Sequence, residues 1–322
     1  MEIDLLQEIE SLRPKVPAMI MDMVADAGID VTPWSVRKDG GVVARPQENP
    51  SYVYEWAFGG NVEPTALCVW HKSISCSSEF IFLEDSLRAL ALKLDLIAID
   101  RTKPAEVKSR ARSQAKRARN FDSLLQRAFR KSMPIRVILL EGDDQLDADI
   151  GWASSKVRYR LLDPELWYVH SYSDDDGSFR LVRSVALEGA PKTNGEPLET
   201  AVFEDQFSTP DPSQKRETKG SSYVRSADVR QAVLNRAMGV CECCGAIGFT
   251  TSNGAIFLET HHVIPLSEQG PDVEWNVVAI CPNDHRRAHF AEDRESIKTN
   301  LIARLSNMYP LAGPELQKLM VM

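Results

Sequence analysis

Apolar residues at Leu5, Ile9, Leu12, Ile20 and Met23 recur at helical spacing, and Pro14 and Pro17 interrupt them, so Ile3–Ala27 is read as two short helices. From Ser51 to Phe58 the chain alternates, with Tyr52, Tyr54, Trp56 and Phe58 on one face and Val53, Glu55 and Ala57 on the other. That is the period of a strand. Leu67–Trp70 and Phe80–Leu83 supply further strands, and Asp85–Asp95 is helical in pattern. A second helix is expected from about Lys103-Pro104 to Lys131, because proline suits a first helical turn and Val107–Phe129 contains neither Gly nor Pro. Ile135–Leu140 reads as a buried strand bounded by Gly142. Lys156–Leu162 and Leu166–Tyr172 read as two more, and the turn Asp174-Asp175-Asp176-Gly177 joins the last to Ser178–Ser184 as a hairpin.

Between Ala190 and Ser222 the periodicity fades among Pro191, Pro197, Pro210 and Pro212 and a polar run, the composition of a linker over about 190–222. The boundary is placed near residue 215, giving one domain over 1–215 and a second over 223–322. A length of 322 residues agrees with two domains, each able to bury a core. The composition, 43% hydrophobic and 26% charged, is that of a soluble protein, and no apolar run approaches the ~18 residues that cross a bilayer. No membrane partner is expected. The opening Met1-Glu2-Ile3-Asp4 lacks the features of a secretory leader, so the expected location is a reducing cytoplasm. A net charge of −8 argues against a polycation that coats nucleic acid, so any such contact must be local.

Of six cysteines, Cys241, Cys243, Cys244 and Cys281 cluster near the C-terminus, which suggests metal binding more than disulfides. Cys241 and Cys244, three apart after the Asp228–Met238 helix and Gly239, can form a knuckle on one tetrahedral zinc, with Cys281 as third ligand. A second knuckle would place a cysteine at 284, where this chain has Asp284. Its carboxylate can complete the site, with Cys243 or a water as alternatives. Four of the six histidines fall within 29 residues, in Glu259-Thr260-His261-His262 and His285-Arg286-Arg287-Ala288-His289. His285 and His289 are i and i+4, so a helix puts both on one face. Adjacent residues of a regular strand point to opposite sides, so only one of His261 and His262 can join them. A Cys-and-His cluster is also what a purely structural zinc site shows, but such a site needs only four ligands.

Together with Trp275-Asn276, these residues resemble the ββα-metal fold of HNH endonucleases, and most closely the zinc-knuckle form in McrA-like modification-dependent restriction enzymes. The resemblance spans roughly Val229 to Leu305, under a quarter of the chain. It implies His261, His285 and His289 as ligands of a catalytic divalent ion (Mg²⁺, Mn²⁺ or Ni²⁺), His262 as general base, and Asn276 as the residue that pins the loop and orients the base. Structural Zn²⁺ on Cys241, Cys244, Cys281 and Asp284 stays the reading of the cysteine spacing, since Asp284 departs from the family's pattern while the catalytic set is complete. Phosphodiester hydrolysis needs an activated water and charge stabilisation, which a neutral imidazole and a divalent ion provide. Arg286 and Arg287 can hold neighbouring phosphates or form a solvated face. The expected fold class is α+β: an N-terminal mixed α/β DNA-recognition domain and a small zinc-stabilised ββα-metal domain.

In the N-terminal region, residues 101–131 carry eleven Lys or Arg, at 101, 103, 108, 110, 112, 116, 117, 119, 127, 130 and 131, against Glu106 and Asp122. That stripe is the electrostatic footprint of a DNA-backbone contact, with Arg112, Lys116 and Arg119 at its centre, although basic helices are often only solvated. The aromatic face of residues 52–58, with Trp34 and Trp70 nearby in sequence, can form a sheet core or line a pocket that stacks on a flipped base, Trp56 and Trp70 being the candidates. The leading expectation is a modification-dependent restriction endonuclease that defends against foreign DNA, reading modified cytosine or a phosphorothioate linkage. A homodimer is expected if both strands are cut, since one such site cuts one strand. The alternatives are an HNH nuclease of another defence or mobile-element system that reads sequence or a partner, and a non-catalytic zinc-stabilised DNA-binding protein.

Overall fold

The computed structural model describes residues 5–37, 40–59, 64–143, 155–174, 176–186, 203–205 and 226–321. The chain divides into two compact units, Met1–Lys192 and Thr193–Met322. Among the described residues no helix is long and apolar enough to cross a membrane.

The first unit opens with helices α1 (Leu5–Ser11) and α2 (Ile20–Asp26), separated as the two prolines require. Strands β1 (Ala57–Phe58), β2 (Ala66–Trp70), β3 (Ser75–Cys76) and β4 (Ile81–Ser86) follow. Helices α3 (Leu87–Ile99) and α4 (Ala105–Lys131) come next, then β5 (Ile135–Asp143), β6 (Lys156–Tyr172) and β7 (Ser178–Arg183). The seven strands form one sheet in the order β1-β2-β5-β6-β7-β4-β3, with β2 and β5 parallel and the other pairs antiparallel. Both faces of the centre are covered, which explains the uninterrupted apolar run of β5. Ile135, Val137 and Leu139 enter a core with α3 and α4, while Ile138 and Leu140 enter one with α2 and Trp34. Helix α3 begins at Leu87, not Asp85, because Ser86 ends β4 and caps the helix, its Oγ accepting from Ala89 N at 3.1 Å.

Two expectations are corrected. Residues 51–54 form turns, and the strand is confined to Ala57–Phe58. The aromatic alternation therefore does not share one sheet face: Tyr52 and Phe58 pack with Trp34 on the α2 side, and Trp56 packs against the core on the α3–α4 side. The ring centroids of Trp34 and Tyr52 lie 5.0 Å apart, so the alternating pattern reflects local stacking instead of pleating. The segments expected as separate strands at 156–162 and 166–172 are one strand with a bulge, Arg136 pairing with Leu166 and Ile138 with Leu162. Asp163 sits fully buried in that bulge, accepting from Trp167 Nε1 at 2.9 Å and Arg183 Nε at 2.7 Å, which satisfies the charge.

The second unit contains β8 (Phe203–Glu204), α5 (Ala227–Ala237), β9 (Phe249–Thr250), β10 (Ile256–Phe257), β11 (Glu259–His262), β12 (Val277–Ile280), α6 (Pro282–Phe290), α7 (Arg294–Met308) and α8 (Gly313–Val321). Strands β8, β10 and β9 form a small sheet, and β11 pairs antiparallel with β12, whose four residues are all buried. Strand β8 pairs in parallel with β10, so residues 203–204 lie in the second unit, while the expected linker and the boundary near residue 215 fall largely outside the described residues. Asp205, directly after β8, is buried. It accepts from Arg230 Nη1 at 3.0 Å and from Thr260 Oγ1 at 2.9 Å, tying the strap to α5 and β11.

Asp205→Ala removes the buried carboxylate that accepts from both Arg230 and Thr260, and removal of one partner of a buried pair costs about 3–5 kcal/mol. The variant is expected to unfold the second unit at a clearly lower denaturant midpoint. A change under ~1 kcal/mol would mean that the strap does not belong to this unit's cooperative core.

Candidate active site and cysteine cluster

Alternation along β11 decides which side chains reach helix α6. Glu259 and His261 share one side and Thr260 and His262 the other. One helical turn then sets His285 and His289 together on α6. The ligand nitrogens of His261, His285 and His289 all lie within 4.8 Å of one another, and their ring centroids are 4.8–5.0 Å apart. Burial, reinforced by His285, His289 and His262, pushes His261 down to about 3, and burial with His285 and Arg286 lowers His289. These two rings are neutral at pH 7, the form in which imidazole offers a lone pair to a cation. Nδ1 of His285 bonds the Glu259 carboxylate; a carboxylate only accepts, so the tautomer of the neutral ring that fits this contact has its hydrogen on Nδ1 and its lone pair on Nε2, 3.2 Å from His289 Nε2. Three convergent imidazoles, one of them backed by a carboxylate, fit a single divalent cation.

His262 turns instead to the loop between the two strands, its Nε2 2.8 Å from Asp272 Oδ1. That loop is held by Asn276, which is fully buried. Its Oδ1 accepts from Ile264 N, and its Nδ2 donates to Ile264 O and Pro271 O, each at 2.9 Å. Gly270 allows the close approach, since a Cβ there would lie 2.0 Å from Ile264 O. Asn276 thus bonds both sides of the loop, and the group in contact with His262 is Asp272.

Cys241, Cys244, Cys281 and Asp284 form the second group whose ligand atoms lie within 4.8 Å of one another. Asp284 Oδ2 is 3.3 Å from Cys241 Sγ and 3.4 Å from Cys281 Sγ, and backbone N–H groups of Cys281 and Asp284 point at the sulfurs of Cys241 and Cys281. Without a cation the Cys244 thiol is pushed up to about 12, first by its hydrogen bond to Asp284. Burial works on Asp284 in the opposite sense, but hydrogen bonds from Cys244, Cys241, Cys281 and Arg287 hold it below the usual carboxylate range. Three thiols around one ionised carboxylate form a donor set that fits zinc. Cys243 stands outside this group and lines a neighbouring cleft with Arg287 and Arg304.

The remaining expected residues are dispersed. Arg286 is exposed, whereas Arg287 pairs with Asp284 at 2.9 Å and Asp293 at 2.7 Å. On α4, Arg112 and Lys116 are exposed, and Arg119 turns inward onto the buried Asp95. Arg117 lies over the exposed Tyr54 ring at 5.6 Å. Trp56 and Trp70 are half-buried against different cores, so the structure does not bring them together. Sequence reasoning missed Glu259, Asp272 and Glu242. Only Glu259 carried a local signal, two residues before His261 and so on its side of a strand.

Cys241→Ser is expected to lower the melting temperature of the second unit and release its zinc, because structural zinc contributes folding free energy. Metal analysis of the native protein should give about one tightly held zinc per chain for this ligand set. A folded domain with no zinc would remove the assignment. Asp284→Cys should hold zinc at least as tightly; weaker binding would bring in Cys243 or a water.

Residues 241–291 match the family described as HNH endonuclease. The chain is 38% identical over 87 residues to the Type IV methyl-directed restriction enzyme EcoKMcrA of Escherichia coli (strain K12), taking in 27% of this chain and 31% of that enzyme. It is 50% identical over 32 residues to an uncharacterized 38.5 kDa protein in psbA intron 1 of Chlamydomonas moewusii, 10% of this chain and 9% of that protein. The matched stretches thus span less than a third of either relative's length. Among solved structures, the Type IV phosphorothioation-dependent restriction endonuclease ScoMcrA aligns over 60% of this chain and 49% of its own, at 17% identity and a TM-score of 0.26. The modification-dependent TagI restriction endonuclease aligns over 74% of this chain and 70% of its own, at 18% identity and a TM-score of 0.18. Scores this low do not establish a shared overall fold. The family match begins at the first knuckle cysteine and ends just beyond His289, enclosing both clusters: residues 241–291 are an HNH endonuclease domain.

Proposed function

We propose that the chain is a DNA endonuclease of restriction type, in which the HNH domain hydrolyses a phosphodiester bond and the N-terminal unit selects DNA by its modification. The observation that carries the cleavage reading is the convergence of His261, His285 and His289, with His262 next in the chain and outside their group. His262 takes a proton from water, and the hydroxide oxygen bonds to phosphorus. The bond from phosphorus to the 3′ oxygen breaks, and that oxygen leaves with the electron pair and is protonated by solvent. A divalent ion of the Mg²⁺, Mn²⁺ or Ni²⁺ kind on the three histidines would supply charge stabilisation to the phosphate and the leaving oxygen. Arg286, exposed on α6, is placed to steady a neighbouring phosphate.

Modification dependence is supported by the likeness to the E. coli enzyme described as methyl-directed. For DNA contact, the exposed Arg112 and Lys116 on α4 are the favoured groups, and no observation favours Trp56 or Trp70 as a stacking platform. One HNH site cuts one strand, so double-strand cleavage would call for two copies of the chain. The test is cleavage and binding of otherwise identical duplexes that are unmodified, cytosine-methylated or phosphorothioated. Equal cutting of all three would remove the modification reading and leave the nuclease.

His262→Ala is expected to lower the cleavage rate on the order of 10²–10⁴-fold, the usual worth of a general base, with DNA binding and folding retained. More than about a tenth of the native rate would exclude His262 from that role. The double change Arg112→Glu with Lys116→Glu should weaken binding to all duplexes alike and flatten the log–log salt dependence by ~0.9 per lost phosphate contact. An unchanged salt slope would move DNA binding away from α4. Arg119 is omitted because it pairs with the buried Asp95, so its replacement would act on the fold as well as on binding.

A further inference from the structure

We infer that Asp272 is a positioning residue that fixes the proton of His262 on Nε2 and so leaves Nδ1 as the basic nitrogen. The inference rests on the reading of His262 as general base. Its ground is a carboxylate with two separately committed oxygens. Oδ1 lies 2.8 Å from His262 Nε2, and Oδ2 accepts from the backbone N–H of Ser226 at 2.6 Å. An ionised carboxylate can only accept, so in neutral His262 the nitrogen facing it must bear the hydrogen. Nδ1 then holds the lone pair that takes the water proton. The other tautomer would present N–H where a base is required and would place a lone pair against an anion.

The carboxylate is fixed from both sides of its own chain. Pro271 O, immediately before it, is held by Asn276 Nδ2, and Ser226 is the N-cap of α5, its Oγ accepting from Val229 N at 3.3 Å. Asp272 thus joins the strand pair, the clamped loop and the start of a helix through one side chain. Asn276 acts on His262 through this loop and not by contact.

The Ser226 bond also decides what an amide at this position would do. In Asp272→Asn the Ser226 N–H still needs an acceptor, so the amide oxygen turns to it and the NH₂ group faces His262 Nε2. Nε2 must then accept, and the imidazole proton moves to Nδ1. Asp272→Ala loses both bonds but leaves His262 free to choose its tautomer. A purely structural Asp272 would make Ala the more damaging change in every respect. A positioning Asp272 makes Asn the more damaging change for turnover and Ala the more damaging for stability.

The experiment uses the full chain with Mn²⁺ and a duplex substrate, comparing native protein, Asp272→Asn, Asp272→Ala and His262→Ala. Asp272→Asn should lower kcat on the order of 10²–10⁴-fold, with KM for DNA and thermal stability near native, and Asp272→Ala should lower kcat less and the melting temperature more. In parallel, ¹⁵N NMR of histidine-labelled protein reads the tautomer directly, the His262 signals being those absent from His262→Ala. Nε2–H in the native protein and Nδ1–H in Asp272→Asn are expected. Native Nδ1–H, or an Asn variant at least as active as the Ala variant, would overturn the inference. If instead native protein and His262→Ala cleave alike, the general-base reading fails, while the NMR result still decides the tautomer.

Discussion

The second unit is organised around one buried ion pair. The Arg236 guanidinium, at the end of α5, meets the Glu242 carboxylate at 2.9 Å and 2.7 Å as two parallel bonds, with both side chains almost wholly out of solvent. Burial opposes the charge on Arg236, yet Glu242 and Tyr309 hold its pKa above the ordinary value. The remaining donors and acceptors are all used: Arg236 bonds Glu274 O, Val277 O and Tyr309 Oη, and Glu242 accepts from Ala279 N at 2.7 Å. Glu242 lies inside the cysteine knuckle, and Val277 and Ala279 lie on β12, the partner of the histidine strand. The pair therefore fixes the cysteine knuckle relative to the strand that registers His261 and His262. Its worth is geometric, since desolvation offsets much of the Coulomb attraction of a buried pair, whereas loss of one partner strands a charge.

What was legible in the sequence follows from how local each cause is. Periodicity and helix punctuation located α1, α2, α4, β2, β5 and β7 within a few residues, because these depend on neighbours in the chain. The histidine and cysteine spacings carried the site for the same reason: i and i+4 on α6 and a three-residue knuckle are local geometry. Residues 51–54 misled because alternation is also what a turn produces when Tyr52 stacks on a distant Trp34. The strap at 203–205 lay hidden in a polar stretch, since its place is set by Arg230 and Thr260, 25 and 55 residues away. Asp272 and Glu242 are ordinary acidic residues in the sequence and acquire roles only when the strands pair.

The basic stripe on α4 shows how one helix serves two purposes. Ala111 and Ala115 are fully buried, and their small side chains let α4 approach Leu94 and Ala98 of α3. Along this contact the cations divide by position. Arg119 neutralises Asp95, and Arg130 reaches Asp174 at 2.8 Å, so these charges belong to the fold. Arg112 and Lys116 lie on the exposed side of the helix. In a chain of net charge −8, such a face is a local cationic region on an otherwise acidic molecule, which favours oriented approach of a polyanion over indiscriminate adhesion.

One rule of proton placement governs both histidine faces of β11. A carboxylate accepts and never donates, so whichever imidazole nitrogen it touches must carry the hydrogen. Glu259 touches Nδ1 of His285, which frees Nε2 to point at the other ligand nitrogens. Asp272 touches Nε2 of His262, which frees Nδ1. The two carboxylates engage opposite nitrogens of rings that come from different elements, one from a helix and one from a strand end. The local frame also opposes proton uptake at the cation site, where burial and crowding keep His261 and His289 neutral. His262 lies outside that cluster and faces Asp272, its Nε2 2.8 Å from Oδ1. Adjacent residues of one strand thus meet different partners because its two sides differ: His261 faces His285 and His289, and His262 faces Asp272.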